Sequence, residues 1–235
     1  MNTLTSDIRR TLKNEANEKH KESAQRFFKE DTMFYGLRNP AVNKIAKEYF
    51  KLIKTEPKIE IFNHCEKLWR SGYMEEALIA CHWSYAIRKK YEPADFLLFE
   101  KWVHSYITNW ATCDIFCNHT VGSFLETYPK YLPKLIGWAK SPNRWVRRAA
   151  AISLIIPAKK GMFQSTIFQI ADVLLTDPDD LVQKGYGWML KVTSQANQGK
   201  VFDYVMANKA IMPRTALRYA IEKMPKELKA QAMQK

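Results

Sequence analysis

The segments SPNRWVRRAAAISLIIPAKK (residues 141–160) and DPDDLVQKGYGWML (177–190) share one pattern, and that pattern decides the fold. Each opens on a proline beside an Asn or Asp, the chemistry of a helix N-terminus. Each then runs into apolar positions at helical spacing. Working outward, the unit recurs: YMEEALIACHWSYAIRKK (73–90) and NWATCDIFCNHT (109–120) precede it, and MPRTALRYAIEKM (212–224) follows. Inner segments starting near 73, 110, 144, 181 and 211 repeat at a period of about 30–37 residues, the size of one helix-turn-helix unit.

The expected fold is therefore all-α, a HEAT-like helical-repeat solenoid, C-shaped and with a basic concave face. It is read as a single domain over 1–235: N-terminal helices in 1–70, repeated helix pairs over about 73–224, and a polar tail, 225–235, expected to fray. In the N-terminal part, residues 4–29 read as helix, with Leu4, Ile8 and Leu12 on one stripe and Ala24, Phe27 and Phe28 after it. Asn39-Pro40 starts a second helix, and Ile59 to Arg70 forms a third. No strand-like alternation of useful length occurs.

Composition agrees with helix: the 235 residues are 46% apolar and 26% charged, with only 8 glycines. The longest apolar run, Ala149 to Ala158, is too short to span a bilayer, and the N-terminus lacks the apolar core of a signal peptide. A cytoplasmic protein with no membrane partner is expected, associated with the nucleoid when bound to DNA. The net charge of +13 calls for a polyanionic partner, and nucleic acid is the first candidate.

The cations recur at matching places. Arg144, Arg147 and Arg148 lie at i, i+3 and i+4; Lys184 sits on the next inner helix, and Arg214 and Arg218 on the last. In a solenoid, equivalent helices line one face, so these charges add up into a surface that sequence-independent phosphate contacts would suit. A single such run is more simply a solvated face; the recurrence favours nucleic acid. Of seven tryptophans, Trp69, Trp83, Trp102, Trp138 and Trp145 read as core. Trp110 and Trp188 differ, because each stands four residues from a charge, Asp114 and Lys184, and so shares a helix face with it. Cys113, Cys117 and His119 suggest a metal site only at first glance. The two cysteines occupy apolar i, i+4 positions and the histidine points elsewhere, so neither metal nor cofactor is expected. The four cysteines form no C-x-x-C pair.

Together, SAQRFFKE…MFYGLRNPAVNKIAK, NWATCD, RWVRRAA and VQKGYGWML resemble the AlkD-like family of HEAT-like-repeat alkylpurine DNA glycosylases, over nearly the whole chain. The resemblance implies catalytic roles for Asp114, Trp110 and Trp188, and a DNA-binding role for Arg148. Arg147, Arg144, Lys184, Arg38, Arg214 and Arg218 are the further candidates for DNA binding. Phe27 stands where family members tend to have Tyr, and Arg38 where they tend to have a polar amide; both bear on backbone contacts. The implied partner is double-stranded DNA containing alkylated purines, bound by a monomer.

The implied reaction is monofunctional hydrolysis of the N-glycosidic bond of a purine made cationic at N3 or N7, with the base left outside a deep pocket. Asp114 would stabilise an oxocarbenium-like sugar, the two indoles would cradle the deoxyribose, and Arg148 would hold a phosphate and keep Asp114 ionised. Lys184, close to Trp188, is the residue whose amine could instead support strand cleavage. Two other readings stay open: a non-catalytic HEAT-like protein that binds bent or branched DNA, and a scaffold for RNA or an acidic protein.

Overall fold

The computed structural model describes residues 4–234. The protein is all-α, built from successive helix pairs of the helical-repeat kind, as the periodicity predicts. The chain divides into two compact units, the first ending at Phe116 and the second beginning at Cys117. Among the described residues, no helix is long and apolar enough to cross a membrane.

Unit 1 contains α1 (Leu4–Asn14), α2 (Glu18–Gln25), α3 (Asn39–Ile53), α4 (Lys58–Trp69), α5 (Met74–Ala86), α6 (Asp95–Tyr106) and α7 (Trp110–Ile115). α5 is its central element, packed against α3, α4 and α7. It is apolar nearly all round, as a buried helix must be, and Ile79 and Trp83 are among its fully buried side chains. Phe62, Phe96, Phe99, Trp102 and Phe116 complete an aromatic core, with edge-to-face pairs such as Phe62–Phe99 at 5.7 Å.

The continuous helix expected over 4–29 is broken. Asn17 leaves the helical region at φ −138° and its side chain caps α2 by accepting from the His20 amide at 3.0 Å. The reason lies far along the chain. The Asn17 amide donates to the Tyr35 carbonyl at 3.1 Å, and Gly36, at φ +93°, passes so close that a Cβ there would stand 2.1 Å from the Asn17 carbonyl oxygen. Only glycine fits both constraints.

Unit 2 contains α8 (Gly122–Thr127), α9 (Leu132–Ala139), α10 (Arg144–Ile152), α11 (Ile155–Lys159), α12 (Gln164–Leu174), α13 (Asp180–Ala196), α14 (Gln198–Asn208), α15 (Arg214–Ile221) and α16 (Lys226–Met233). α13 is central here and touches α10, α11, α12, α14 and α15. The N-caps are the link residues of the repeat: Asn143 accepts from the Trp145 amide, and Asp179 from the Leu181 and Val182 amides. The tail expected to fray is helical over most of its described length. α16 forms there, with Ala232 buried and Lys209 Nζ donating to the Gln231 and Gln234 carbonyls. Lys235 lies outside the described residues.

Candidate nucleic-acid interface

α7 starts at Trp110, a candidate site residue. Asn109 caps it, accepting from the Thr112 amide at 3.0 Å and the Thr112 hydroxyl at 3.1 Å, so the backbone of the first turn is fixed. Trp110 is the first helical residue and Asp114 lies one turn on, sharing its face; both are half-buried. The Trp110 indole lies stacked on Phe28, ring centroids 5.3 Å apart and planes 15° from parallel. Its Nε1–H donates to the Phe27 carbonyl at 3.2 Å. A cavity of about 430 Å³ beside it is lined by Phe27, Phe28, Phe34, Leu37, Arg38 and Trp110, among others. Phe27 is 71% exposed at its rim, and exposed Arg38 places Nη2 3.0 Å from His20 Nε2.

Two adjacent glutamates, which sequence reading passes over, hold this corner together. Glu75 is buried and accepts the backbone amides of Tyr35, Gly36 and Leu37 at 3.1, 2.8 and 3.0 Å. Glu76, also buried, accepts from the Tyr35 hydroxyl at 2.9 Å and pairs with Arg9 at 3.1 Å. A buried carboxylate is tolerated only with such donors. The one available signal was their position: two acids in MEEALIACHW, a run otherwise apolar enough to be core.

Past Asp114 the helix widens into a π-helical stretch, Phe116–Val121, a departure from regular helix that recurs at functional sites. Cys113 and Cys117 are buried, and burial pushes the His119 imidazole below its ordinary pKa. No group of three or more His, Cys, Asp or Glu among the described residues is arranged to hold a metal ion.

Trp188 is half-buried on α13, whereas the five tryptophans read as core are all buried. Arg148 is buried too: its guanidinium donates to the Leu181 carbonyl, and its stem lies where a Cβ on Gly185 would come within 3.3 Å. Gly185 is thus a space left for the arginine. Arg147 is engaged with the next repeat, reaching Asp177 through Nε at 2.6 Å and Nη2 at 3.2 Å, and the Ser141 and Pro142 carbonyls at 3.0 Å each. Arg144 pairs with Asp179 at 3.0 Å and stacks over Trp145, 4.5 Å from the ring centre. Lys184 pairs with Asp180 at 3.1 Å. The DPDD link therefore both caps α13 and neutralises part of the basic stripe, a second role that its reading as punctuation misses. Arg214 and Arg218 are exposed on α15.

The fold resembles that of a solved structure described as a predicted DNA alkylation repair enzyme from Enterococcus faecalis, with a TM-score of 0.81 at 19% identity, covering 90% of this chain and 97% of that one. It also resembles the crystal structure of smu.31 from Streptococcus mutans UA159, with a TM-score of 0.57 at 21% identity, covering 82% of this chain and 97% of that one. At these identities the likeness shows the fold alone. No curated protein shows significant similarity to the chain. A family model for DNA alkylation repair enzymes matches residues 8–224, most of the length, and the chain belongs to that family, with a role in DNA repair.

Proposed function

We propose that the protein is a monofunctional DNA glycosylase that hydrolyses the N-glycosidic bond of cationic N3- or N7-alkylated purines in duplex DNA, acting as a monomer. The observation that carries this reading is the Trp110–Asp114 pair on α7, one turn apart, half-buried, with the indole fixed by Phe28 and the Phe27 carbonyl. In a DNA alkylation repair family member of net charge +13, that pair is suited to a sugar cation rather than to a neutral base.

The chemistry follows from the substrate. Alkylation at N3 or N7 puts a positive charge on the purine, so the base departs readily and the developing charge passes to the deoxyribose. The Asp114 carboxylate stabilises that oxocarbenium-like sugar and orients the attacking water. The face of Trp110 packs on the sugar, and its π electrons favour the cation over the neutral ground state; the family resemblance gives Trp188 the same kind of role. Arg148, held by Leu181 and Gly185, serves as a fixed positive centre for a phosphate. Arg38, Arg214 and Arg218, all exposed, contribute salt-dependent contacts along the backbone. Arg147 is a brace between repeats, since its nitrogens are already engaged by Asp177 and two carbonyls.

Release of 7-methylguanine and 3-methyladenine from methylated duplex DNA tests this, with Asp114→Asn and Trp188→Ala beside wild type. Release by wild type, with a fall of at least about 100-fold in Asp114→Asn and DNA binding retained, is the expected result. Tight, salt-sensitive binding with no release by any variant would overturn it in favour of a non-catalytic binder of bent or branched DNA. Weak duplex binding would point instead to an RNA or protein scaffold.

A further inference from the structure

We propose that Phe28 is a positioning residue: its ring, with the Phe27 carbonyl, sets the plane and tilt of the Trp110 indole. The inference rests on the reading that Trp110 packs against the deoxyribose, and extends it to a residue with no chemistry of its own.

The local backbone does not determine where that indole points. The Asn109 cap fixes φ and ψ in the first turn of α7, but it leaves the two side-chain torsions of Trp110 open. Both are closed by residues more than eighty positions earlier in the chain. Stacking on Phe28 at 5.3 Å and 15° fixes the plane, and the hydrogen bond to the Phe27 carbonyl at 3.2 Å fixes the rotation within it. A half-buried indole without such partners would sample several rotamers.

Phe28 is itself held. It packs on Phe34 at 5.4 Å, and Phe34 is buried at the start of the segment whose next three amides donate to Glu75. A line of contacts thus runs from a buried carboxylate on α5, through Phe34 and Phe28, to the indole on α7. Each step is a specific contact rather than general burial, and the last acts through a ring. An aromatic pair attracts beyond its buried area, and that attraction favours the stacked rotamer of the indole.

The consequence is kinetic. An indole that must meet the sugar at one distance and angle loses effect when it wanders, even where DNA still binds. Phe28→Leu removes the ring, and Phe28→Tyr keeps it. The full chain is labelled with 5-fluorotryptophan, and the Trp110 fluorine resonance is identified by its absence in Trp110→Phe. Phe28→Leu is expected to shift or broaden that resonance and leave the others in place. It should lower kcat for 7-methylguanine release about tenfold or more with KM within about twofold, and Phe28→Tyr should restore both.

An unmoved Trp110 resonance in Phe28→Leu overturns the inference, as does a moved resonance with wild-type kcat. If Phe28→Leu does not fold, Phe28→Met keeps the apolar bulk without the ring and takes its place. Absence of release by wild type would sink the glycosylase reading and the kinetic half of this inference. The fluorine shift then decides the positioning half alone.

Discussion

The two units hold their candidate site residues by different means. In unit 1, Trp110 is fixed by aromatic stacking and a backbone carbonyl, backed by buried carboxylates that tie down an irregular segment. In unit 2, the cations are fixed by regular repeat-to-repeat ion pairs, Arg144 with Asp179 and Arg147 with Asp177, and by glycines that let helices close up. Unit 1 depends on a few long-range contacts, any of which moves the site. Unit 2 repeats a local device, so damage to one link should stay local.

The sharpest test of that contrast is a matched pair of truncations. Glu75→Ala strands three backbone amides, two of them buried, and a loss on the order of 3 kcal/mol in urea unfolding is expected. Arg147→Ala leaves Asp177 with the Asp179 amide but no guanidinium, and about 2 kcal/mol is expected. Glu75→Ala should also disturb the Trp110 fluorine resonance, which Arg147→Ala should leave alone. If Arg147→Ala disturbed it equally, the contrast would be broken.

Within unit 2, the glycines grade the closeness of packing. A Cβ on Gly187 would stand 2.7 Å from Tyr219 Cβ and 2.8 Å from the Ala216 carbonyl oxygen, backbone that cannot yield. Gly187→Ala should therefore cost about 1–3 kcal/mol by overpacking, although alanine is the better helix former. Gly199, with open space around it on α14, should gain about 0.5–1 kcal/mol as alanine. Equal effects at the two positions, measured by thermal unfolding, would mean that α13 and α15 do not approach as described.

A smaller effect distinguishes unit 1 by pH. Burial pushes the Glu66 carboxyl up, but hydrogen bonds from Lys101 at 2.6 Å, Tyr106 at 2.6 Å and Trp102 outweigh it and bring it down to about 2. A depressed carboxylate stabilises fully above its ordinary pKa of 4.5, and that contribution is lost as pH falls toward 2. Glu66→Gln should flatten the acid limb of stability over that interval and leave its slope above pH 5 unchanged; an identical acid limb would show that other carboxylates set it.

How much of this was legible follows the same division. The starts of α7, α10 and α13 fall within a residue of the expected positions, because each is marked by a capping Asn or Asp before the first turn; α5, without such a cap, also starts within a residue, and α15 starts three residues later than expected. The cap roles of Asn143 and Asp179 were readable for that reason. The break at Asn17 was not, since it answers to Gly36 and Tyr35, nineteen and eighteen residues on, which no local pattern reveals. The stripe of Arg144, Arg147 and Lys184 was visible as charge, and Lys184 pairs locally with Asp180 one turn earlier on α13, but the pairing of Arg144 with Asp179 and of Arg147 with Asp177 needed the register of one repeat on the next. Phe28 read as one more apolar residue, because stacking on Trp110 leaves no periodic trace.

The four cysteines, all buried in the core, also differ from surface thiols in reactivity. Thiolates are the softest nucleophiles a protein carries, and the electrophiles that alkylate purines attack exposed ones readily. Burial raises the Cys65 and Cys81 thiols well above their ordinary pKa, so they stay protonated as well as shielded, which is the condition of an inert thiol. Shielded in this way, the Cys65 and Cys81 thiols present no reactive thiolate to an electrophile in solution.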